Sequence, residues 1–301
     1  METPPQSNPV RGVFWMLVTG VFFVAVTAVV KVLGTRIPAP EAAFLRYALG
    51  LVFLIPMLRP LMNARLTARQ LKLFSFRGVA HTAGVALWFF AMARIPIADV
   101  TAMNYLAPVY VTLGAALFLG ETLALRRILA VVAALIGALI ILRPGFRDIG
   151  AGHLGMLIAA VFFAASYLTA KRMADETGAA VTVAMLSITV TIGLAPLALM
   201  NWVTPTLHEL GLLFIVAFLA TTGHYTMSVA LAAAPVTVTQ PVGFLQLVWA
   251  VLLGAFVFDE GIDIWVIVGG GVIIGAISFM TWREAVLKRR LRTPVAPATK
   301  L

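Results

Sequence analysis

From Leu210 to Phe258 the chain carries no Asp, Glu, Lys or Arg. In hydrocarbon such a run must satisfy its backbone polar groups internally, and only helices and closed barrels do so. The period-two alternation of an outer-membrane barrel is absent. The run therefore reads as two membrane-crossing helices turning at Ala234-Pro235. Val13–Val30, Val100–Gly120, Leu154–Ala170, Val181–Leu207 and Ile264–Trp282 are also free of formal charge. Each approaches or exceeds the ~20 residues needed to cross a bilayer as a helix. With 61% hydrophobic and 11% charged residues, and a mean hydropathy of +1.01, the chain is too apolar for a water-soluble globule. It reads as an integral membrane protein of the all-α class.

Ten spans are expected, at 13–34, 40–58, 76–93, 98–119, 126–142, 152–172, 181–200, 210–231, 236–257 and 263–282. Placing the amino terminus inside puts most of the 22 Lys and Arg in cytoplasmic segments, among them Arg59, Arg65, Arg69, Lys72, Arg77, Arg126, Arg127, Lys171, Arg172 and the basic tail after Arg283. The opposite face receives Lys31, Arg36, Arg94, Arg143 and Arg147. The positive-inside rule thus sets both termini in the cytoplasm. The same sorting accounts for the net charge of +10 without nucleic acid as a partner, although the basic tail suits anionic membrane lipid. There is no cysteine, which excludes disulfides and thiolate metal sites. The first span lacks a small-residue cleavage pattern and reads as retained. Both Pro-rich tails read as disordered ends.

Gly12–Lys31 laid over Gly152–Lys171 at a spacing of 140 matches Gly12, Met16, Leu17, Val21, Phe22, Phe23, Ala25 and Lys31 with identical residues. At a spacing of 139 the correspondence continues through Gly84/Gly223, Ala91/Ala230, Ala93/Ala232, Pro96/Pro235, Leu106/Leu245, Val109/Val248, Leu113/Leu252, Ala116/Ala255 and Glu121/Glu260. The chain is thus expected to hold two five-helix repeats, 1–145 and 150–301. Because five is odd, the second copy enters the membrane from the other side, giving an inverted pair. Two similar halves of opposite sidedness suit alternating access.

Asn104–Glu121 (NYLAPVYVTLGAALFLGE), its echo Gly243–Glu260 (GFLQLVWAVLLGAFVFDE) and PEAAFLRY at Pro40–Tyr47 resemble the signature segments of the drug/metabolite transporter superfamily, specifically its EamA-type repeat. Among its members the chain is most similar to the YddG-type exporters of amino acids. The resemblance implies a bacterial inner-membrane protein, a basket of helices around a central cavity, and outward movement of small metabolites.

An ionised group at mid-membrane is costly, so it marks a functional site. Here every Asp and Glu falls at or beyond an expected helix end, which predicts transport that is uncoupled or linked only through histidine. The remaining polar and aromatic groups inside the spans are candidates to line a solute site: His81, Trp88, Asn104, Tyr105, Tyr167, His224, Tyr225, Gln246 and Trp249. Each must find a partner or water, and a membrane His or Gln also serves simply to bridge two helices. Neither histidine has a twin in the other repeat, as an asymmetric solute would require. Pro108 also lacks a twin and is a candidate hinge, or a static kink. Arg46, inside the second span, is read as snorkelling outward, with pairing to Glu41 or to an anionic solute group as alternatives. Gly271 and Gly275 fit close packing, within the chain or in a dimer, and a monomer is slightly favoured.

An enzyme would need a metal cluster or a nucleophile–base pair, and neither HExxH nor GxSxG occurs. No cofactor is expected. No connection is large enough for the soluble domain of a lipid-handling or assembly protein. The composite reading is a carrier of small amphipathic metabolites, amino acids foremost.

Overall fold

The computed structural model describes residues 8–119, 125–146, 148–177, 179–234 and 236–292. Glu121 and Pro235, which close the expected repeats, lie outside the described residues, as do Arg147 and most of both tails. The described chain is helical: α1 (Pro9–Leu33), α2 (Ala39–Gly50), a 3-10 turn (Leu51–Met57), α3 (Leu58–Asn63), α4 (Ala68–Met92), α5 (Ile97–Asn104), α6 (Leu106–Leu119), α7 (Leu125–Leu142), α8 (Ala151–Thr177), α9 (Ala179–Leu199), α10 (Leu207–Ala233), α11 (Val236–Gly243), α12 (Gln246–Val257) and α13 (Ile264–Arg292). Among the described residues, α1, α4, α8, α9, α10 and α13 are each long and apolar enough to cross a membrane unaided.

Local chemistry sets the helix starts. The Asn8 side chain accepts the Arg11 N–H at 3.0 Å, with Pro9 preset for the first turn. Thr67 and Gln70 form a reciprocal capping box, as do Thr206 and Glu209. The first of these starts α4 at Ala68, well before the expected 76, because a capped polar turn extends the helix beyond its apolar stretch. Arg77, expected in a cytoplasmic segment, is consequently a buried helix residue. The segment expected at 40–58 loses α geometry after Gly50, where Pro56 cannot donate a backbone hydrogen bond to the preceding turn.

The segments expected at 98–119 and 236–257 are each two helices. At Tyr105 the backbone N–H turns to Ala102 O at 3.2 Å, and Pro108, three residues on, has no N–H to restore the helical bond to Asn104. The second break falls at Phe244–Leu245, with Leu245 N–H on Val242 O and Leu247 N–H on Phe244 O, both at 3.1 Å. Proline is not required there, since Gly243 ends α11 and position 247 is Leu.

The main helix contacts pair α4 with α8, α1 with α10, α7 with α13, and α9 with both α2 and α4. Small residues permit these approaches. A Cβ on Gly84 would lie 2.9 Å from the Phe163 ring, and one on Gly223 would lie 3.1 Å from the Phe23 ring, so one glycine–aromatic contact occurs twice, on residues that correspond between the repeats. At the α7–α13 crossing a Cβ on Gly137 would meet Gly269 O at 2.7 Å, and one on Gly269 would meet Gly137 O at 2.4 Å. Gly269 and Gly270 make the intramolecular contacts of α13, whereas Gly271 and Gly275 face open space.

Candidate solute-binding chamber

Two helix pairs bring polar side chains together. On α4, His81 is buried, with Nδ1 3.1 Å from the Ser166 hydroxyl of α8. Its ring lies 5.2 Å from Phe163 and, edge-on, 6.5 Å from Tyr47 of α2. Phe163 stacks on Tyr167 at 6.2 Å. On α10, His224 packs edge-on against Phe23 of α1 at 5.1 Å. Each histidine thus rests on the phenylalanine that also fills the neighbouring glycine site.

Two guanidinium groups share this space. Arg77, one turn before His81, is 6% exposed, and its Nη1 donates to Thr182 O at 2.9 Å while Nε has no partner. Arg46 lies with its guanidinium 4.0 Å from the centre of the Tyr47 ring. Tyr47, whose ring lies 6.5 Å from that of His81, links Arg46 to the cluster. Arg46 thus rests on a ring that also packs against His81, and Glu41 does not pair with it, accepting the Val203 N–H at 2.9 Å instead.

A second cluster surrounds the two helix breaks. Tyr105 sits edge-on to Phe244 at 5.1 Å and donates its hydroxyl to Phe244 O at 3.4 Å. A Cβ on Gly20 of α1 would lie 3.9 Å from the Gln246 Cβ and 4.0 Å from the Trp249 ring. Asn104 is half-buried at the end of α5, and Pro108 lies in the first turn of α6, its carbonyl accepting the Thr112 hydroxyl at 3.0 Å. Trp88 is half-buried against Phe89, and Tyr225 is 66% exposed on α10. Of the residues singled out from sequence, His81, Tyr167 and His224 join the first cluster, and Tyr105, Gln246 and Trp249 the second.

The end of the bundle holding the α1–α2 connection is closed by ionic contacts. Lys31 pairs with Glu260 and donates to Ile95 O at 3.3 Å, while Glu260 Oε2 accepts the Ile97 N–H at 3.0 Å. Arg143 pairs with Asp263, and Arg36 with Glu209. The Glu209 hydrogen bond holds the Arg36 guanidinium above its ordinary range. Buried His153 lies 3.0 Å from Asp99. Beside these groups is a recess of about 240 Å³ lined by Asp99, Arg143, Glu260 and Asp263. Val24, Ile97 and Ala250 form an apolar layer in contact with this closure.

Arg77 and the His153–Asp99 pair were not singled out from sequence. The Thr67-x-x-Gln70 capping box was the available signal for Arg77, since it marks a helix start ten residues before the arginine. No spacing rule links His153 to Asp99.

Two copies of one family model match the chain, at residues 10–143 and 150–282, and its description is EamA-like transporter family. The chain belongs to the EamA-like transporter family. It is a multi-pass membrane protein of a transporter family. A riboflavin transporter of Rhizobium johnstonii is 31% identical, covering 96% of this chain and 95% of the relative. An S-adenosylmethionine uptake transporter of Rickettsia bellii is 26% identical, covering 91% and 94%. A pseudopaline exporter of Pseudomonas aeruginosa is 26% identical, covering 88% and 94%. These relatives span nearly the full length of this EamA-like chain, and their names include both uptake and export.

Proposed function

We propose that this protein exports small amphipathic metabolites, amino acids and related compounds foremost, across a bacterial inner membrane. It works by alternating access between two inverted five-helix halves, 1–145 and 150–301, with ten spans and both termini cytoplasmic. The solute sits between His81, Tyr167 and His224, and the break cluster of Asn104, Tyr105, Gln246 and Trp249 forms its other wall. Pro108, beside the first break, supports the motion of α6 against α5. Trp88 and Tyr225 flank the path.

The observation that carries this reading is the paired arrangement of Phe163 with Gly84 and His81, and of Phe23 with Gly223 and His224. Corresponding frame residues hold two imidazoles at different positions, His81 three residues before its glycine and His224 one residue after. A proton-linked variant of the mechanism draws on the buried His153, whose ring nitrogen lies 3.0 Å from the Asp99 carboxylate.

The test is counterflow in proteoliposomes with a panel of amino acids, amines and nucleosides. Accumulation of unmodified labelled solute supports the proposal, and absence of counterflow for every class overturns it. Repeating the assay across a pH gradient, with the native protein and with His153→Gln, decides between the uncoupled and proton-linked forms.

A further inference from the structure

Among the described residues, Arg46 and Arg77 are cations without a counterion, and neither takes part in an ion pair. Five acids are paired with other groups, Asp99 with His153, Glu176 with Arg69, Glu209 with Arg36, Glu260 with Lys31 and Asp263 with Arg143, and Glu41 accepts the Val203 N–H through Oε2. Arg77 is more than nine-tenths buried, and its Nε is an unanswered donor. A protein interior rarely keeps such a group unless something outside the chain completes it.

The surroundings define the missing partner. A guanidinium presents a planar fork that matches carboxylate and phosphate oxygens, which a single backbone carbonyl such as Thr182 O does not satisfy. Around His81, one turn along α4 from Arg77, the Phe163–Tyr167 stack and Tyr47, on which Arg46 rests, offer apolar faces, and Ser166 and the imidazole offer further hydrogen bonds. The cluster thus combines cationic and aromatic side chains.

We propose that the chamber selects solutes bearing an oxyanion, which Arg46 and Arg77 bind while the Phe163–Tyr167 stack receives the apolar part. This rests on the transporter reading above and names its substrate class. An amine-only solute is rejected because it would add a third cation to the pair. A zwitterionic amino acid enters through its carboxylate.

The test separates binding from transport. With full-length protein in detergent, tryptophan fluorescence measures binding of probes that share one ring: 3-phenyllactate, phenyl phosphate, L-phenylalanine, 2-phenylethanol and phenethylamine. The carboxylate or phosphate probe is expected to bind at least tenfold more tightly than phenethylamine. Arg77→Gln and Arg46→Gln should each erase that preference, and Arg77→Lys should restore part of it. Arg46→Gln serves as the independent arm if Arg77→Gln fails to fold. Comparison of phenyl phosphate with 3-phenyllactate tells which oxyanion is meant. Equal affinity for phenethylamine and the anions, or no binding of any anionic probe, overturns the proposal. Counterflow of phenethylamine without the anions would sink this inference and leave the transporter reading standing. Binding of anions without counterflow of any solute would do the reverse.

Discussion

Replacing Glu260 by Gln should open the closed end of the bundle. The substitution keeps an oxygen to accept the Ile97 N–H but removes the charge that pairs with Lys31. The two side chains are 23% and 13% exposed, so the pair lies between surface and interior. Exposed pairs contribute about 0–1 kcal/mol and breaking a buried one costs about 3–5 kcal/mol. A loss of about 2 kcal/mol follows for this pair. At about 1.4 kcal/mol per tenfold, the open-to-closed ratio rises roughly 30-fold. The chain has no cysteine, so Ala250→Cys, fully buried in the apolar layer at this closure, becomes a unique reporter. Its labelling by a membrane-impermeant maleimide should accelerate at least about tenfold in the Glu260→Gln background. Lys31→Met should act similarly, and the two changes together should not add, because they remove one interaction. A labelling rate within twofold of the parent would refute the assignment of this pair as a closing contact.

Two further outcomes are expected. Gly137→Val places a side chain against the Gly269 carbonyl, where backbone blocks relief, so a cost of about 1–3 kcal/mol or more should appear as a lower Tm in fluorescence-detected size-exclusion chromatography. Tyr105→Phe loses only a long hydroxyl bond to Phe244 O and should bind solute nearly as the parent does, whereas Tyr105→Ala loses the edge-on ring contact, worth about 0.5–1.5 kcal/mol beyond its area, and should bind severalfold more weakly in the same fluorescence titration.

The helices were legible because hydrocarbon demands long uncharged runs, and each run expected to cross is helical in its described part. Their interruptions were less so. Pro108 drew attention to the first break, but the turn comes at Tyr105, where the backbone shifts to three-residue bonding. The second break, at Phe244–Leu245, follows Pro241 and Gly243 but has Leu247 where the first repeat has Pro108. His81, Tyr167 and His224 were found because polar groups are scarce in apolar spans. Arg77 escaped for the opposite reason: a charge at the rim of an apolar run looks like a loop residue until the capping box upstream is read. Arg46 was seen, but its direction depends on Tyr47 and on helices far away in sequence. The His153–Asp99 pair depends wholly on how α5 and α8 are brought together.

Each ion pair among the described residues, from Lys31–Glu260 to Arg69–Glu176, joins a residue before position 147 to one after it. Among the described residues, the counterions of each repeat in these pairs come from the other. A gene fragment encoding one repeat would therefore make a polypeptide with stranded charges and an unsupported α4 or α10, whereas both fragments expressed in one cell should find each other and rebuild the carrier. The two repeats are therefore joined by charge as well as by packing.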